Sequence, residues 1–303
     1  MLPICVSKTL EEENTNMDTD KKLIFSTGAK GGVGKSTLAI LMVEALLEGE
    51  ATVACLEGDE RSASLGAKYG SHPEVRVANV DLSSLTPDAG LAMLGKAVES
   101  LDAQYVVVNT PASGVRVFDE LPLVLTSLGR EPRATWSLAI TADRIKDGAD
   151  DDGLFTSIDG EMLSGIASTR VTVVLPLFQC SYRGEPFWCD DRGDLMKRVG
   201  MRIMDIPRIP MPTLEAIHRT PLSVSEVAAQ SDPILSAALL VTWHRIKTAL
   251  AATVLDGAAV NLIPPPLSLP KREKIFGAGG ILQQLADEKA KSASAKTDED
   301  HAS

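Results

Sequence analysis

Residues Gly28-Ala29-Lys30-Gly31-Gly32-Val33-Gly34-Lys35-Ser36-Thr37 decide the reading of this chain. They follow an apolar run over 23–27 and open a helix-like segment over 36–48. A strand, a glycine-rich turn and a helix in that order form a phosphate-binding loop. Glycines at 31, 32 and 34 permit positive φ, which turns backbone N–H groups inward toward an anion. The helix start adds its positive dipole end. Lys35 supplies a point charge for the β- and γ-phosphate oxygens, Ser36 a hydroxyl for Mg2+, and Thr37 a hydroxyl for the α-phosphate. Gly31, Gly32, Val33, Gly34, Lys35, Ser36 and Thr37 are therefore the expected nucleotide contacts. In the pattern G-x-x-x-x-G-K-[ST] the first glycine falls on Ala29, a residue that suits the position if φ is negative.

Outward from this loop, short apolar runs alternate with longer helical ones. Strands are expected over 23–27, 52–57, 75–80, 105–110, 135–141, 171–177 and 202–206. Runs such as Tyr105-Val-Val-Val108 are apolar at consecutive positions, as in strands buried on both faces of a parallel sheet. Helices are expected over 36–48, 87–101, 119–128, 154–163, 187–199 and 233–255. Thr86 is the expected cap of the second, and Ser231 or Asp232 that of the last. The alternation gives an α/β fold, a doubly wound, mostly parallel sheet in one P-loop domain with flexible ends. The expected boundaries are a disordered leader over 1–20, the domain over 21–255, and a proline-containing linker and polar tail over 256–303. Met17, just before the first ordered run, is a candidate start.

The 303 residues carry 41 acidic against 30 basic side chains, a formal net charge of −11. Proteins that coat a phosphate backbone usually carry the opposite sign, so direct DNA contact needs a local basic patch. Arg183, Arg192, Lys197, Arg198, Arg202, Arg208 and Arg219 are candidates, but Glu185, Asp190, Asp191, Asp194, Asp205 and Glu215 share their stretch and the sum is about neutral. No run reaches about 18 uninterrupted apolar residues. The four cysteines, at 5, 55, 180 and 189, form no C-x-x-C pair. That argues against zinc ribbons, iron–sulfur relatives and disulfide frameworks, and fits reduced thiols in a cytoplasmic protein. His218 and His244 are isolated and lack metal-ligand spacing, which leaves them packing roles. Trp136, Trp188 and Trp243 are expected in the core or an interface.

Lys30-Gly31-Gly32-Val33-Gly34-Lys35-Ser36 resembles the deviant Walker A signature of the ParA/MinD family of P-loop ATPases. The resemblance spans about residues 21–255 and implies ATP and Mg2+ as cofactors. It also implies that Lys30 crosses an ATP-sandwiched dimer to the partner's phosphates. After the second strand the family has an acidic pair, Asp-x-Asp. Asp59 matches its second member, which orients the attacking water, so Lys30 and Asp59 are the implied catalytic residues. Glu57 replaces the first acid and keeps a carboxylate that can hold magnesium through water. Asn109 stands where the family ends its Walker B strand with aspartate, so it keeps one acceptor oxygen and loses the charge. The implied metal set is Ser36, Glu57 and Asn109, with slow hydrolysis following from Asn109. Asp205-Ile206-Pro207-Arg208-Ile209-Pro210 resembles the family's late strand and loop, which packs around adenine, and makes Pro207 a candidate contact. The base-reading asparagine of the preceding strand is replaced by Leu175-Pro176.

The resemblance implies an ATP-dependent homodimer acting in partition or mobilisation of plasmid or chromosomal DNA. A DNA-binding adaptor protein is the expected partner, and direct nonspecific DNA binding is left open. The alternatives are a MinD-like positioning or secretion-associated ATPase that binds a protein or membrane partner, and an ATP-binding protein with little hydrolysis. Residues 271–285 resemble the terminal anchor of MinD-type proteins, but three glycines weaken a helix there, which argues against membrane binding.

Overall fold

A computed structural model describes residues 21–28, 31–59, 63–82, 86–111, 133–137, 171–176 and 202–263. Among these residues seven strands form one sheet: β1 (Lys22–Thr27), β2 (Val53–Glu57), β3 (Val75–Asn79), β4 (Tyr105–Asn109), β5 (Arg133–Ser137), β6 (Val171–Pro176) and β7 (Arg202–Ile206). Every pairing is parallel, in the order β3-β2-β4-β1-β5-β6-β7. All seven expected strands are present, their described ends shifted by no more than two residues; positions 138–141 and 177 of the expected strands lie outside the described residues.

β2 and β4 are buried along their whole length, which accounts for their unbroken apolar sequence. The chain leaves β1 for β2, returns through β4 beside β1, then crosses to β5. The sheet thus changes direction at β1, and ligands of open parallel sheets bind beyond the carboxyl ends of strands at such a point.

The described helices are α1 (Lys35–Glu48), α2 (Ser64–Tyr69), α3 (Pro87–Ser100), α4 (Met211–Arg219), α5 (Val224–Gln230) and α6 (Pro233–Ala252). α1 is buried on almost every side, from Thr37 through Leu46, as a helix apolar all round must be. Asp232 caps α6, its carboxylate accepting from the N–H groups of Ile234 and Leu235 at 3.0 and 3.1 Å. Thr86 occupies the cap position of α3, yet its side chain makes no capping bond. α6 stops at Ala252, three residues before the expected end. The helices expected over 119–128, 154–163 and 187–199, the leader and the tail beyond 263 lie outside the described residues.

Three shorter helices were not expected. α5 is fixed by a capping box between Ser223 and Glu226. α2 and α4 are joined by Lys68. Its buried ammonium donates to the carbonyls of Ile217 at 2.9 Å and Leu222 at 2.8 Å, and lies 3.3 Å from Glu44 of α1. Glu44 also accepts from the Tyr69 hydroxyl at 2.8 Å and the Val224 N–H at 3.2 Å. Burial lowers the Lys68 pKa and the Glu44 carboxylate opposes that shift.

Trp243 is in the core, its ring N–H donating to Glu48 at 2.8 Å, and Lys247 reaches the same carboxylate at 2.6 Å. Cys55 is a buried free thiol whose pKa burial pushes far up, so it is chemically quiet. No described helix is long and apolar enough to cross a membrane.

Past α6 the chain turns back against α1, and Ala258 and Val260 pack against the core. A Cβ on Gly49 would overlap the Ala259 carbonyl. Gly49→Ala is therefore expected to lower stability by about 1–3 kcal/mol, the usual cost of overpacking, read as a drop in the thermal unfolding midpoint.

Candidate functional site

The parallel register sets three polar residues side by side at the carboxyl ends of adjacent strands. Ser26 of β1 pairs with Asn109 of β4, and Asn109 pairs with Glu57 of β2. Each ends an apolar run, and each is buried. The loop that follows β1 lies over this row.

Gly32 and Gly34 adopt positive φ, 77° and 91°. Gly31, expected to do the same, is not among the positive-φ residues. Gly34 is the N-cap of α1 and makes no side-chain cap, so the first N–H groups of α1 have no intrahelical partner. The turn is tied to the sheet by Ser26, whose hydroxyl donates to the Lys35 carbonyl at 2.8 Å. The Ser26 carbonyl in turn accepts from the Thr110 N–H at 3.2 Å and hydroxyl at 3.0 Å. Ser26 is a site residue that sequence reading missed. Its only signal is a hydroxyl closing the run Leu23-Ile24-Phe25.

Lys35 is buried, and burial lowers its pKa while the nearby Asp59 carboxylate raises it. The two expected functional side chains, the loop lysine and the second acid, thus share one field. Asp59 is half-buried, and its N–H donates to Glu57 Oε1 at 3.1 Å. Lys30, Glu60 and Arg61 lie outside the described residues.

The expected metal set comes together. The Asn109 amide NH2 donates to Ser36 Oγ at 3.2 Å and to Glu57 Oε1 at 2.8 Å. Glu57 Oε2 accepts from the Leu65 N–H at 3.1 Å, which fixes the start of α2 to the end of β2. Burial pushes the Glu57 carboxyl up; the Leu65 N–H, the Asn109 amide and the Asp59 N–H pull it down, and the Asp59 charge pushes it up again. Asn109 Oδ1 is buried and has no hydrogen-bond partner among the described residues. A carboxylate, a hydroxyl and an unpartnered amide oxygen are hard donors, so these residues fit Mg2+. Among the described residues, no cluster of three or more His, Cys, Asp or Glu offers a different metal site.

Pro207 follows β7 at the same end of the sheet and is half-buried. Its loop leads into α4, which returns toward α1. There Thr37 Oγ1 and His218 Nε2 are 2.9 Å apart. Sequence spacing gave no sign of this pair, because 181 positions separate its members.

Solved structures similar to this chain include three of this group. One is the septum site-determining protein MinD of Pyrococcus horikoshii complexed with Mg-ADP, at 14% identity over 80% of this chain and 99% of that one, TM-score 0.45. The chain is similar to ParA and MinD proteins. A ParA family ATPase of Chlorobium tepidum matches at 15% identity over 73% and 98%, TM-score 0.40. A plasmid partition protein of Borrelia burgdorferi matches at 13% over 65% and 96%, TM-score 0.41. No family model and no curated protein matches the sequence.

The His218 pKa is lowered from 6.5, chiefly by burial and then by the Lys68 charge. Sign follows from linkage. The unfolded chain binds this proton more readily, so the contribution is complete above about pH 6.5 and is lost as pH falls below it. The unfolding midpoint of His218→Gln should therefore decline less than that of the wild type between pH 7 and 5.5, measured in parallel thermal scans.

Proposed function

We propose that this chain is an ATP-dependent dimerising switch of the ParA type with slow ATP hydrolysis. The observation that carries the proposal is the row Ser26–Asn109–Glu57 under a loop whose lysine is buried beside Asp59. Gly31 to Thr37 take the phosphates of ATP. Lys35 meets the β- and γ-phosphates, and Ser26 holds the turn in register by gripping the Lys35 carbonyl. A buried ammonium has already lost most of its water, so an arriving phosphate meets a charge that is poorly solvated and pre-aimed.

Ser36, Glu57 and Asn109 would hold Mg2+, which when bound neutralises charge on the phosphates. Glu57 carries the negative charge that Asn109 lacks, and Asn109 orients it through the 2.8 Å bond. Asp59 orients the attacking water, a role that asks for position more than for reactivity. Lys30 reaches the phosphates of a second copy. The neutral amide at Asn109 in the Walker B place keeps turnover slow. Pro207 and its loop flank the base.

The resemblance to ParA proteins supports a role in partition or mobilisation of plasmid or chromosomal DNA in the cytoplasm. A net charge of −11 supports a DNA-binding adaptor protein as the DNA contact.

Sedimentation velocity tests the switch. The wild type should shift from monomer to dimer with ATP and Mg2+, and Lys30→Ala should bind ATP and stay monomeric. A wild type that remains monomeric at saturating ATP would remove the sandwich mechanism.

A further inference from the structure

Thr37 and His218 face each other at 2.9 Å across α1 and α4. The imidazole is built into a fixed wall. Its neighbour Ile217 is fully buried, and the Ile217 carbonyl accepts from the buried Lys68 ammonium at 2.9 Å. One turn on, Thr220 holds the Ala216 carbonyl through both its N–H at 3.1 Å and its hydroxyl at 2.8 Å. The end of α4 is thus gripped from α2 and from within, and His218 is held where Thr37 begins the first buried turn of α1.

A hydroxyl has one proton and two lone pairs, and a neutral imidazole has one donor and one acceptor nitrogen. Burial and the Lys68 charge keep this imidazole neutral near pH 7. When Thr37 gives its proton to a phosphate oxygen, its oxygen can only accept from His218. The hydrogen must then sit on Nε2. Without that donor the Thr37 hydroxyl can turn back onto a carbonyl of the preceding turn, the usual alternative for threonine in a helix.

We propose that His218 is a positioning residue for the nucleotide: its Nε2–H donates to Thr37 Oγ1 and so aims the Thr37 hydroxyl proton at the phosphate nearest the nucleoside. The chain of donors runs from His218 through Thr37 to the anion. This inference rests on the phosphate-loop reading of residues 31–37 and adds a residue from the far end of the domain to it.

The test is a double-mutant cycle on the full chain, with ATP and ADP affinities measured by titration in Mg2+. His218→Ala should weaken both nucleotides by the same factor, about five- to ten-fold, the worth of one ordinary hydrogen bond. Thr37→Val should weaken them at least as much. The double variant should be no weaker than Thr37→Val alone, because His218 acts only through that hydroxyl. His218→Gln places an amide N–H near the position of Nε2 and should stay within about two-fold of the wild type. If His218→Ala fails to fold, His218→Asn, whose amide ends short of Thr37, takes its place in the cycle.

Independent losses that multiply would overturn the proposal, as would a His218→Ala affinity equal to wild type. In either case Lys35→Ala separates the causes. If Lys35→Ala has lost binding, only the His218 inference fails; if Lys35→Ala binds normally, the phosphate-loop reading fails with it.

Discussion

Lys35→Ala is expected to weaken ATP binding by about 100-fold or more without lowering the unfolding midpoint of the unliganded protein. The two signs come from one fact. Lys35 is buried, and its burial disfavours the ammonium in the free protein. Removing it takes away a poorly solvated cation, so stability is unchanged or rises. The same desolvation strengthens its attraction to an incoming phosphate, and charge-assisted hydrogen bonds contribute about 1.5–3 kcal/mol each. One such bond at the upper end accounts for about two orders of magnitude, since each 1.4 kcal/mol is tenfold. Fluorescent-nucleotide titration beside a thermal scan reads both signs. Equal binding by Lys35→Ala and wild type would refute the phosphate-loop reading.

Glu57→Gln is the second large effect. This change should raise the Mg2+ concentration needed for nucleotide binding by about 10–100-fold, the range seen when a residue that supports a metal from outside its direct ligands is altered. The amide keeps the size but turns an NH2 toward either the Leu65 N–H or the Asp59 and Asn109 donors, so stability should also fall by about 1–3 kcal/mol, and the metal is titrated on protein shown to be folded. The cause is charge placement. Asn109 has none to offer, and among the described residues the carboxylate bonded to it is that of Glu57, at 2.8 Å. Because Glu57 and Asn109 are partners in the β2–β4 register, the charge can be moved one strand over. The double variant Glu57→Gln with Asn109→Asp should recover most of the Mg2+ dependence, and Asn109→Asp alone should lose stability by bringing two carboxylates together. Mn2+ titration followed by electron paramagnetic resonance measures the metal without relying on turnover. A double variant as weak as Glu57→Gln would show that the carboxylate's position on β2 is indispensable.

The strands were legible because buried parallel strands write themselves as consecutive apolar residues, and Tyr105-Val-Val-Val108 is such a run. The loop was legible because glycine, lysine and hydroxyl must follow in fixed order to wrap a phosphate. That Ser36, Glu57 and Asn109 belong together was legible only by position in the resemblance, and their bonding was not. Nothing in the sequence states that Asn109 donates to both Ser36 and Glu57.

α2, α4 and α5 escaped for a physical reason. At six, nine and seven residues they are too short to show a helical period. Each buries only two or three apolar residues, such as Val224, Val227 and Ala228 of α5, and Lys68, Glu44 and a capping box add polar ties. His218 looked isolated along the chain because its partner sits 181 positions away. Glycine permits positive φ at 31, 32 and 34 alike, and the sequence does not say that the turn uses only Gly32 and Gly34 of the three.

The most direct test of the nucleotide switch is calorimetric titration of the full wild-type chain with ATP, with and without Mg2+. One ATP per chain, bound more tightly when Mg2+ is present, is the predicted result. No binding at millimolar ATP with Mg2+, from protein shown to be folded, would contradict it.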